Sequence, residues 1–342
     1  MSDLTTPMPV TACLLQATEE HHQLADYQQG VTRWCDGCGD NAILAAVQRL
    51  CRDHDLTPEK TVFVSGIGCS SRLPHYMKTY GFHGTHGRAL PIAEGVKMSR
   101  PDLSVFVSTG DGDCLSIGAA HWIHALRYNM DLTMMLHDNH IYGLTKKQAS
   151  PTSPIGLLSN TTPKGAYLDA LNPLTVTLGV QNVSFVAQAV DWIPELLFDI
   201  IDAAYRHKGF SFVRIIQRCP EFLPGMFDAY LRDPLRTQLL FHEDGLKISA
   251  GLAKVYQNRL EHDPSDMDRA REIASVEDPI PVGILYRNEN VPRYEELRHA
   301  GELRTADQVR RGLEAELDRF TIWPDGAAAE EPPLDPVPAG DS

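Results

Sequence analysis

The chain has 342 residues, 43% of them hydrophobic, which is enough for one large domain or two ordinary domains with a substantial core. Its 45 acidic and 31 basic residues give a net charge of −14 at pH 7, which argues against nucleic-acid binding and against binding to anionic membranes. No apolar run is long enough to span a membrane, and the first residues lack the pattern of a secretory signal. We therefore expect a globular cytoplasmic protein.

The first chemical signal is a Cys-x-x-Cys pair near the start of the chain. Residues 1–30 have little periodicity and are predicted to form an extended arm that packs against a partner. Cys35 and Cys38 follow, directly before residues 41–50, whose apolar spacing is typical of an amphipathic helix capped by Asp40 or by the first residue of that segment. Such a pair alone occurs in zinc sites and in redox turns, so it does not define the site.

Two further cysteines follow predicted strands. Residues 61–65 are predicted to form a strand, with Cys69 in the glycine-rich turn that follows. Residues 212–216 are predicted to form another strand, with Cys219 just beyond it. Four thiolates suit a [4Fe–4S] cluster and equally a structural zinc ion, and their spacing leaves both open. The four cysteines are Cys35, Cys38, Cys69 and Cys219.

The most informative stretch lies between two more predicted strands, residues 103–108 and 133–137. A Gly-Asp-Gly-Asp motif containing Asp111 follows the first strand and precedes residues 115–128, which are predicted to form a helix. Such a turn presents free backbone N–H groups and the positive end of a helix to a phosphate. Asn139 follows the second strand, so Asp111 and Asn139 should meet at the carboxyl edge of a parallel sheet, where ligands bind.

Oxygen atoms at this edge suit a Mg²⁺ ion that also binds a diphosphate. The pattern resembles the signature of thiamine-diphosphate enzymes, in which an Asn follows Gly-Asp-Gly by roughly thirty residues, and here Asn139 follows Asp111 by 28 positions. The resemblance implies three magnesium ligands: Asp111, Asn139 and the main-chain oxygen of Ile141. It also implies four residues at the diphosphate: Gly112, Asp113, Gly143 and Leu144.

The alternation of strand and helix patterns predicts the fold class, an α/β fold with a doubly wound, mostly parallel sheet. Residues 151–165 are polar and rich in breakers and are predicted to be a long loop beside the site. A strand at 183–187 and a helix at 193–207 are predicted to follow. These elements extend the α/β pattern as far as Cys219.

Changes in composition predict the domain boundaries. Residues 31–230 should form the α/β domain that carries the cofactors. Residues 231–322 are richer in charged, helix-prone segments and are predicted to be a C-terminal extension packed over the core, without catalytic residues of its own. Residues 323–342 contain five prolines among acidic residues, which favours a disordered tail.

Several motifs, in order and spacing, resemble the β subunit of 2-oxoacid:ferredoxin oxidoreductases over about residues 30–225. In that family the four cysteines hold a [4Fe–4S] cluster, which the resemblance implies here in place of zinc. The motifs are Trp34-Cys35-Asp36-Gly37-Cys38-Gly39, Ile67-Gly68-Cys69-Ser70-Ser71, His86-Gly87-Arg88-Ala89, Gly110-Asp111-Gly112-Asp113 and Ile141-Tyr142-Gly143-Leu144-Thr145-Lys146.

The same resemblance implies the contacts of the organic cofactors. Lys146 falls where the family contacts coenzyme A, and His86 is expected to donate a hydrogen bond to the diphosphate, with proton shuttling as the alternative. The chain departs from the family at Asp36, where proline is usual, and at Lys147, where glycine is usual. The charge of Asp36 would shift the cluster potential downward. The residues implied to line thiamine diphosphate are Ile67, Gly68, Cys69, Ser70, His86 and Thr145.

The implied reaction is the oxidative decarboxylation of a 2-oxo acid with coenzyme A, with single electrons leaving through the cluster to ferredoxin. Its reverse would be a reductive carboxylation. Activation of thiamine diphosphate also needs a carboxylate on the aminopyrimidine ring, and Glu94, the upstream candidate, has the setting of an ordinary helix face. We therefore expect an α subunit to complete the active site, in a dimer of αβ units.

The substrate is predicted from two features. Arg72 is a candidate clamp for a carboxylate of the substrate, and a structural ion pair is an equal alternative. Residues 283–297 resemble the extension of 2-oxoglutarate-type members, which favours 2-oxoglutarate over pyruvate. Other functions stay open: a pyruvate-type member, a non-redox thiamine-diphosphate decarboxylase or synthase subunit with structural zinc, or a non-catalytic electron-transfer subunit.

Overall fold

The computed structural model describes residues 21–299 and 306–320. Most of the predicted arm, residues 1–20, and the whole predicted tail, residues 323–342, lie outside the described residues. The chain divides into two units, Met1–Glu295 and Glu296–Ser342. All the predicted site residues belong to the first unit.

The first unit is built on a nine-stranded sheet with the spatial order β10-β9-β11-β7-β8-β4-β3-β1-β2. Neighbouring strands are parallel throughout, except that β11 runs antiparallel to β7. The predicted fold class is therefore confirmed. The strands are β1 (Thr61–Ser65), β2 (Tyr80–His83), β3 (Ser104–Gly110), β4 (Leu132–Asp138), the separate hairpin of β5 (Ile141–Tyr142) and β6 (Gln148–Ala149), β7 (Phe185–Val190), β8 (Phe210–Ile216), β9 (Thr237–Phe241), β10 (Arg259–Glu261) and β11 (Ile280–Arg287).

Helices cover both faces of this sheet. One layer contains α1 and α5, and the other contains α2, α3, α4 and α8. The helices are α1 (Asp40–Asp53), α2 (Ala89–Ser99), α3 (Ala119–Tyr128), α4 (Pro173–Leu178), α5 (Pro194–Arg206), α6 (Asp228–Arg232), α7 (Ala250–Val255), α8 (Met267–Ala274), α9 (Tyr294–His299) and α10 (Ala306–Phe320).

Strand β1 shows how the two layers are built. Phe63 faces the layer of α1 and α5, where its ring stacks on Phe106 with centroids 4.8 Å apart, and neither ring is exposed. Val62 and Val64 point to the opposite layer. Each fully buried side chain of this kind contributes about 1.5–3 kcal/mol. Because both faces of a parallel sheet are covered, its central strands are continuous apolar runs, which is why the sequence predicted them well.

Two local predictions at helix starts are wrong. Asp40 does not cap α1, because it is the first residue of the helix, Gly39 precedes it as the N-cap, and no side chain caps the helix there. The helix predicted at 115–128 instead consists of a π-helical turn, Asp113–Ile117, followed by α3. Turns of the π type occur mostly at functional sites, and this one directly follows the Gly-Asp-Gly motif.

The region beyond residue 231 extends the sheet. Strand β11 pairs with β7 on one side and with β9 on the other, so β9, β10 and β11 form one end of the same sheet. Composition predicted a layer packed over the core, whereas seven of the eight residues of β11 are buried within the sheet. A strand covered on both faces by helices needs no polar side, and its short apolar run is difficult to distinguish from other buried segments.

The fold places the predicted site residues at one edge. Strands β1, β3, β4 and β8 are mutually parallel, and the motifs lie just beyond their carboxyl ends.

None of the helices among the described residues has the length and apolar character of a membrane span.

Candidate active site

A cavity of about 290 Å³ lies where β1, β3 and β4 end and the hairpin β5–β6 begins. It brings together residues from four separate motifs. Those predicted from the sequence are Ile67, Gly68, Cys69, Ser70, His86, Asp111, Gly112, Asp113, Asn139, Ile141, Gly143, Leu144 and Thr145. The structure adds Gly110, His137, Tyr142 and Gln148 to the lining.

Asp111 lies at the bottom of this site and is almost completely buried. Its Oδ2 accepts hydrogen bonds from Ser150 Oγ at 2.5 Å and from Thr152 Oγ1 at 2.7 Å. Burial, followed by the nearby charge of Asp138, raises the pKa of Asp111 to about 7. A divalent cation would offset the cost of burying the negative charge of Asp111, so the chemistry of this carboxylate fits a metal ligand.

Asn139 presents its amide oxygen beside Asp111. Its Oδ1 accepts from the backbone N–H of Ile141 at 3.1 Å, and its Nδ2 donates to Gln217 Oε1 at 3.0 Å. These two hydrogen bonds define which end of the amide faces which neighbour. Asp111 Oδ, Asn139 Oδ1 and the carbonyl of Ile141 are all hard oxygen donors of the kind that Mg²⁺ prefers.

The carboxylate of Asp113 connects the loops around the cavity. Its Oδ1 accepts from the backbone N–H groups of Ile67 at 3.1 Å and Gly87 at 2.7 Å, and it also contacts His86 Nδ1. Its Oδ2 accepts from Thr109 Oγ1 at 2.7 Å. Both oxygens therefore bind protein groups. The side chain organises three loops and leaves only the main chain of the Gly-Asp-Gly-Asp turn to face an anion.

Close packing leaves room for glycine alone at two positions of the site. A Cβ on Gly112 would lie 2.2 Å from the ring of Tyr142, whose hydroxyl donates to the Gly112 carbonyl oxygen at 2.8 Å. A Cβ on Gly66 would lie 1.9 Å from Asp113 Oδ2. The backbone thus forms a narrow cradle at this edge, as the approach of a diphosphate requires.

Ser70 is a polar group in the lining without a protein partner. Its Oγ is buried and makes no hydrogen bond, although the hydroxyl borders the cavity beside Gly110. A buried hydroxyl without a partner costs about 1–3 kcal/mol, which a bound ligand would relieve. The side chain therefore fits the contact with thiamine diphosphate predicted for it.

The four predicted cluster cysteines lie near one another, and Cys69 also lines this cavity. A Cβ on Gly143 would lie 3.6 Å from Cys69 Sγ and 3.8 Å from Cys219 Sγ, so both sulfur atoms approach the same glycine. Burial raises the pKa of the Cys38, Cys69 and Cys219 thiols, and neighbouring thiols add to the rise: Cys35 acts on Cys69 and Cys219, and Cys69 acts on Cys38. The four thiols, all free, therefore lie within electrostatic reach of one another.

Within residues 21–299 and 306–320, no group of three or more His, Cys, Asp or Glu side chains is arranged to hold a metal ion.

Arg72 and Lys146 are not among the described residues that line the cavity. Arg72 lies in the 3-10 helix Ser70–Tyr76, where its charge partly offsets the rise in the pKa of Cys69. Lys146 is exposed, and its backbone N–H bonds to Gly143 O at 2.9 Å in the turn of the hairpin. Lys147 follows with a φ of 72°, a left-handed conformation that glycine adopts more easily than lysine.

Three buried polar residues at this site, Asp40, His137 and Gln217, carry no sequence motif. Asp40 Oδ1 lies 2.7 Å from His137 Nδ1, and Asp40 Oδ2 lies 3.6 Å from Cys38 Sγ. Gln217 Nε2 lies 3.2 Å from Cys38 Sγ, and His137 lines the cavity. Only the position of His137 and Gln217 at the ends of predicted strands could have indicated this role.

Comparison with known proteins identifies the family. Residues 66–215 match the family described as thiamine pyrophosphate enzyme, C-terminal TPP binding domain, and residues 252–301 match the family described as the C terminal of the pyruvate ferredoxin oxidoreductase beta chain. The chain is 46% identical over 219 residues to the 2-oxoglutarate oxidoreductase subunit KorB of Mycobacterium tuberculosis, a match that covers 64% of this chain and 58% of that protein.

Two further relatives are matched over most of their length. The beta subunit of 2-oxoacid:ferredoxin oxidoreductase 1 of Aeropyrum pernix is 37% identical over 280 residues, which cover 80% of this chain and 83% of that subunit. A solved structure of 2-oxoglutarate:ferredoxin oxidoreductase from Magnetococcus marinus, with 2-oxoglutarate, coenzyme A and succinyl-CoA bound, matches with a TM-score of 0.72 and 34% identity, covering 87% of this chain and 97% of that one. The resemblance seen in the sequence is confirmed, and the chain belongs to the β-subunit family of the 2-oxoacid:ferredoxin oxidoreductases.

Proposed function

We propose that this chain is the β subunit of a 2-oxoglutarate:ferredoxin oxidoreductase. The enzyme would convert 2-oxoglutarate and coenzyme A to succinyl-CoA and CO₂ and pass electrons singly through a [4Fe–4S] cluster to ferredoxin. One observation carries this proposal: Cys69 lines the cavity that holds the Gly-Asp-Gly turn and also belongs to the set of four thiols. A redox centre and an organic cofactor would therefore share one short turn.

The oxygen donors at the base of the cavity support thiamine diphosphate held through Mg²⁺. Asp111, Asn139 and the carbonyl of Ile141 would be its protein ligands, and the backbone around Gly112 would receive the diphosphate. When bound, thiamine diphosphate supplies an electron sink for cleavage of the bond between the 2-oxo carbon and the carboxylate. His86, oriented through Nδ1 by Asp113, would turn Nε2 toward the diphosphate or toward a proton of the substrate.

The thiol set supports one cluster with ligands Cys35, Cys38, Cys69 and Cys219. Cys219 and Cys69 approach Gly143 of the cofactor cavity from the same side, which would keep the path for an electron short. Burial raises the pKa of Cys69 to about 12, which favours the protonated thiol. Positively charged irons would favour the thiolate instead.

The composition of the cavity supports a partner subunit. Of the described residues that line it, only Asp111 and Asp113 are acidic, and both carboxylates already bind protein groups. Glu94 is not in that lining, so a carboxylate for the aminopyrimidine ring would come from an α subunit, in a dimer of αβ units. Several large apolar side chains between Leu144, which lines the cavity, and residue 168 are exposed, as expected for a surface that a partner covers: Leu144, Ile155, Leu158, Tyr167 and Leu168.

The substrate assignment depends on the relatives. Both the Mycobacterium tuberculosis protein and the Magnetococcus marinus enzyme carry 2-oxoglutarate in their names. Arg72 would contact a substrate carboxylate and Lys146 would contact coenzyme A, after movement or with the partner in place. Pyruvate is the second candidate, since the family matched by residues 252–301 is described by that substrate. A cytoplasmic location also stays a prediction.

The test is to purify the chain co-expressed with its α subunit under anaerobic conditions. We expect a brown protein with about four irons per chain that bleaches with dithionite, and methyl-viologen reduction that requires both coenzyme A and 2-oxoglutarate. A colourless zinc protein would refute the redox function, and equal rates with pyruvate would refute the substrate assignment. Full activity of this chain alone would refute the requirement for an α subunit.

A further inference from the structure

Gln217 connects the oxygen donors of the cavity to the thiol set. The residue follows β8, is 1% exposed, and its backbone N–H donates to Asp138 O at 2.9 Å, which continues the pairing of β8 with β4. Its side chain lies against Gly39, where a Cβ would be 2.7 Å from Gln217 Cγ. The side chain is therefore held between the Cys-x-x-Cys turn and the end of β4.

Both the oxygen and the nitrogen of this side-chain amide have hydrogen-bond partners. Oε1 accepts from Asn139 Nδ2 at 3.0 Å, and Nε2 lies 2.6 Å from Arg218 O and 3.2 Å from Cys38 Sγ. An amide rotated by 180° would direct Oε1 at a carbonyl oxygen and at sulfur, and would direct its NH₂ group at the NH₂ group of Asn139. The hydrogen-bond network therefore determines the orientation.

Each end of the amide has a consequence for one cofactor site. Because Nδ2 of Asn139 is held by Gln217, Oδ1 of Asn139 is the end of the amide that accepts from the Ile141 backbone, in a residue that lines the cavity together with Asp111. Because Nε2 of Gln217 donates toward Cys38, a thiolate at that position would receive a charge-assisted hydrogen bond. Hydrogen bonds to the sulfur ligands of an iron–sulfur cluster raise its reduction potential, and partners of ligating residues influence metal affinity.

We propose that Gln217 is a positioning residue for both sites: it orients Asn139 toward the cation and donates an N–H···S hydrogen bond that raises the potential of the cluster. This inference rests on the proposed function. No charge or proton transfer is required of Gln217. It acts on the cation through Asn139 and on the cluster through Cys38.

Two substitutions separate these effects in the co-expressed holoenzyme. Gln217→Glu retains an oxygen acceptor for Asn139 Nδ2 but has no N–H to donate to Cys38. Gln217→Leu removes both interactions without adding charge. The matched control is Gln188→Glu: Gln188 is also a buried glutamine on a parallel strand, and its Nε2 donates to Pro281 O at 2.7 Å without contacting a thiol.

The readouts are the midpoint potential of the cluster, followed by EPR, and the dissociation constant of thiamine diphosphate in the presence of Mg²⁺. Both Gln217 variants should shift the one-electron equilibrium toward the oxidised cluster by about tenfold, which is about 59 mV. Thiamine diphosphate should bind about tenfold more weakly to Gln217→Leu, because Asn139 loses its partner, and within about twofold of the parent to Gln217→Glu. Gln188→Glu should leave both quantities unchanged.

The outcomes distinguish the inference from the function on which it rests. A parent protein without a cluster would overturn the proposed function itself. With the cluster present, unchanged potentials in both Gln217 variants would overturn the inference, as would equal losses of thiamine diphosphate affinity in both. If Gln217→Leu does not fold, Gln217→Met takes its place, because it also removes both interactions without adding charge, whereas the carboxylate of Gln217→Glu would lower the potential by its charge as well.

Discussion

Asp40 Oδ1 lies 2.7 Å from His137 Nδ1, and neither residue is exposed. Ser108 Oγ lies 3.1 Å from the other ring nitrogen, Nε2, and 3.0 Å from Ser70 O. His137 Nδ1 donates to the Asp40 carboxylate, so the two residues form a buried hydrogen-bonded pair beside Cys38 and the cavity.

Breaking this pair should destabilise the protein. Asp40→Asn removes the carboxylate that accepts the hydrogen bond from His137 Nδ1, and a buried hydrogen bond to a charged group contributes about 1.5–3 kcal/mol. We expect Tm to fall by at least about 3 °C. The measurement is thermal unfolding of the purified protein followed by circular dichroism. Asp102→Asn, which removes an exposed partner of Arg100, is the control and should leave Tm within about 1 °C of the parent.

A double variant tests the coupling. If the two residues form the inferred pair, Asp40→Asn combined with His137→Gln should lose less stability than the sum of the two single losses, since both single variants remove the same hydrogen bond. Strictly additive losses would show that the two side chains act independently.

The contrast between this pair and the metal-binding motifs shows what the sequence can reveal. Asp111 and Asn139 follow strands whose apolar runs are continuous, so their meeting at one sheet edge could be predicted from local patterns alone. Asp40 and His137 are 97 positions apart, and nothing in either local pattern marks them as partners. Asp40 in particular was predicted to cap a helix, but its carboxylate accepts a hydrogen bond from the buried imidazole of His137 instead.

The same limit applies to the region beyond residue 231. Its buried strand β11 is a short apolar run that carries no periodicity, so its addition to the main sheet could not be distinguished from packing over it. Similarly, the cysteines could be recognised as a set from their positions at strand ends. The approach of Cys69 and Cys219 to the same glycine, Gly143, depends on three-dimensional contacts and could not be predicted.

The tight cradle at the diphosphate turn predicts the effect of one added methyl group. Gly112→Ala would place a Cβ 2.2 Å from the Tyr142 ring, which must move and give up its hydrogen bond to the Gly112 carbonyl. We expect thiamine diphosphate to bind at least about tenfold more weakly, measured by isothermal titration calorimetry with Mg²⁺ present.

Gly95→Ala is the matched control for this change. Gly95 lies within α2, and a Cβ there meets nothing within 4 Å. Alanine should leave the affinity unchanged and stabilise the helix by up to about 1 kcal/mol. Equal affinities for Gly112→Ala and the parent would mean that the turn does not receive the diphosphate.

The buried carboxylate of Asp111 predicts a dependence on divalent metal. Asp111→Asn removes the charge that the cation requires, although an amide of the same size can still accept hydrogen bonds from Ser150 and Thr152. In the parent, chelation of Mg²⁺ by EDTA should weaken thiamine diphosphate binding by at least about a hundredfold. In Asp111→Asn, affinity should be low with or without EDTA. Asp169→Asn, at an exposed loop position, should behave like the parent. Metal-independent binding in the parent would contradict the assigned ligands.

His207 predicts how stability changes with pH. Its Nε2 lies 2.8 Å from Ser184 Oγ, whose hydrogen is donated to Asn129 Oδ1, so Nε2 carries the ring hydrogen and Nδ1 is buried without a partner. Burial lowers the pKa of His207 to about 4; among nearby charges, that of Asp131 opposes this shift. Protonation of Nδ1 would therefore place a charge in the core.

The unfolded chain, with an ordinary histidine pKa near 6.5, binds a proton below that pH while the folded chain does not. The free energy of unfolding should accordingly decrease as pH falls from about 6.5 to 4, by up to about 3 kcal/mol from this group. His207→Gln should flatten the decrease between pH 6.5 and 4, measured by urea unfolding in steps of half a pH unit. His124→Gln, at an exposed position, should retain the parental slope. An identical slope in His207→Gln and the parent would show that His207 takes up its proton equally in both states.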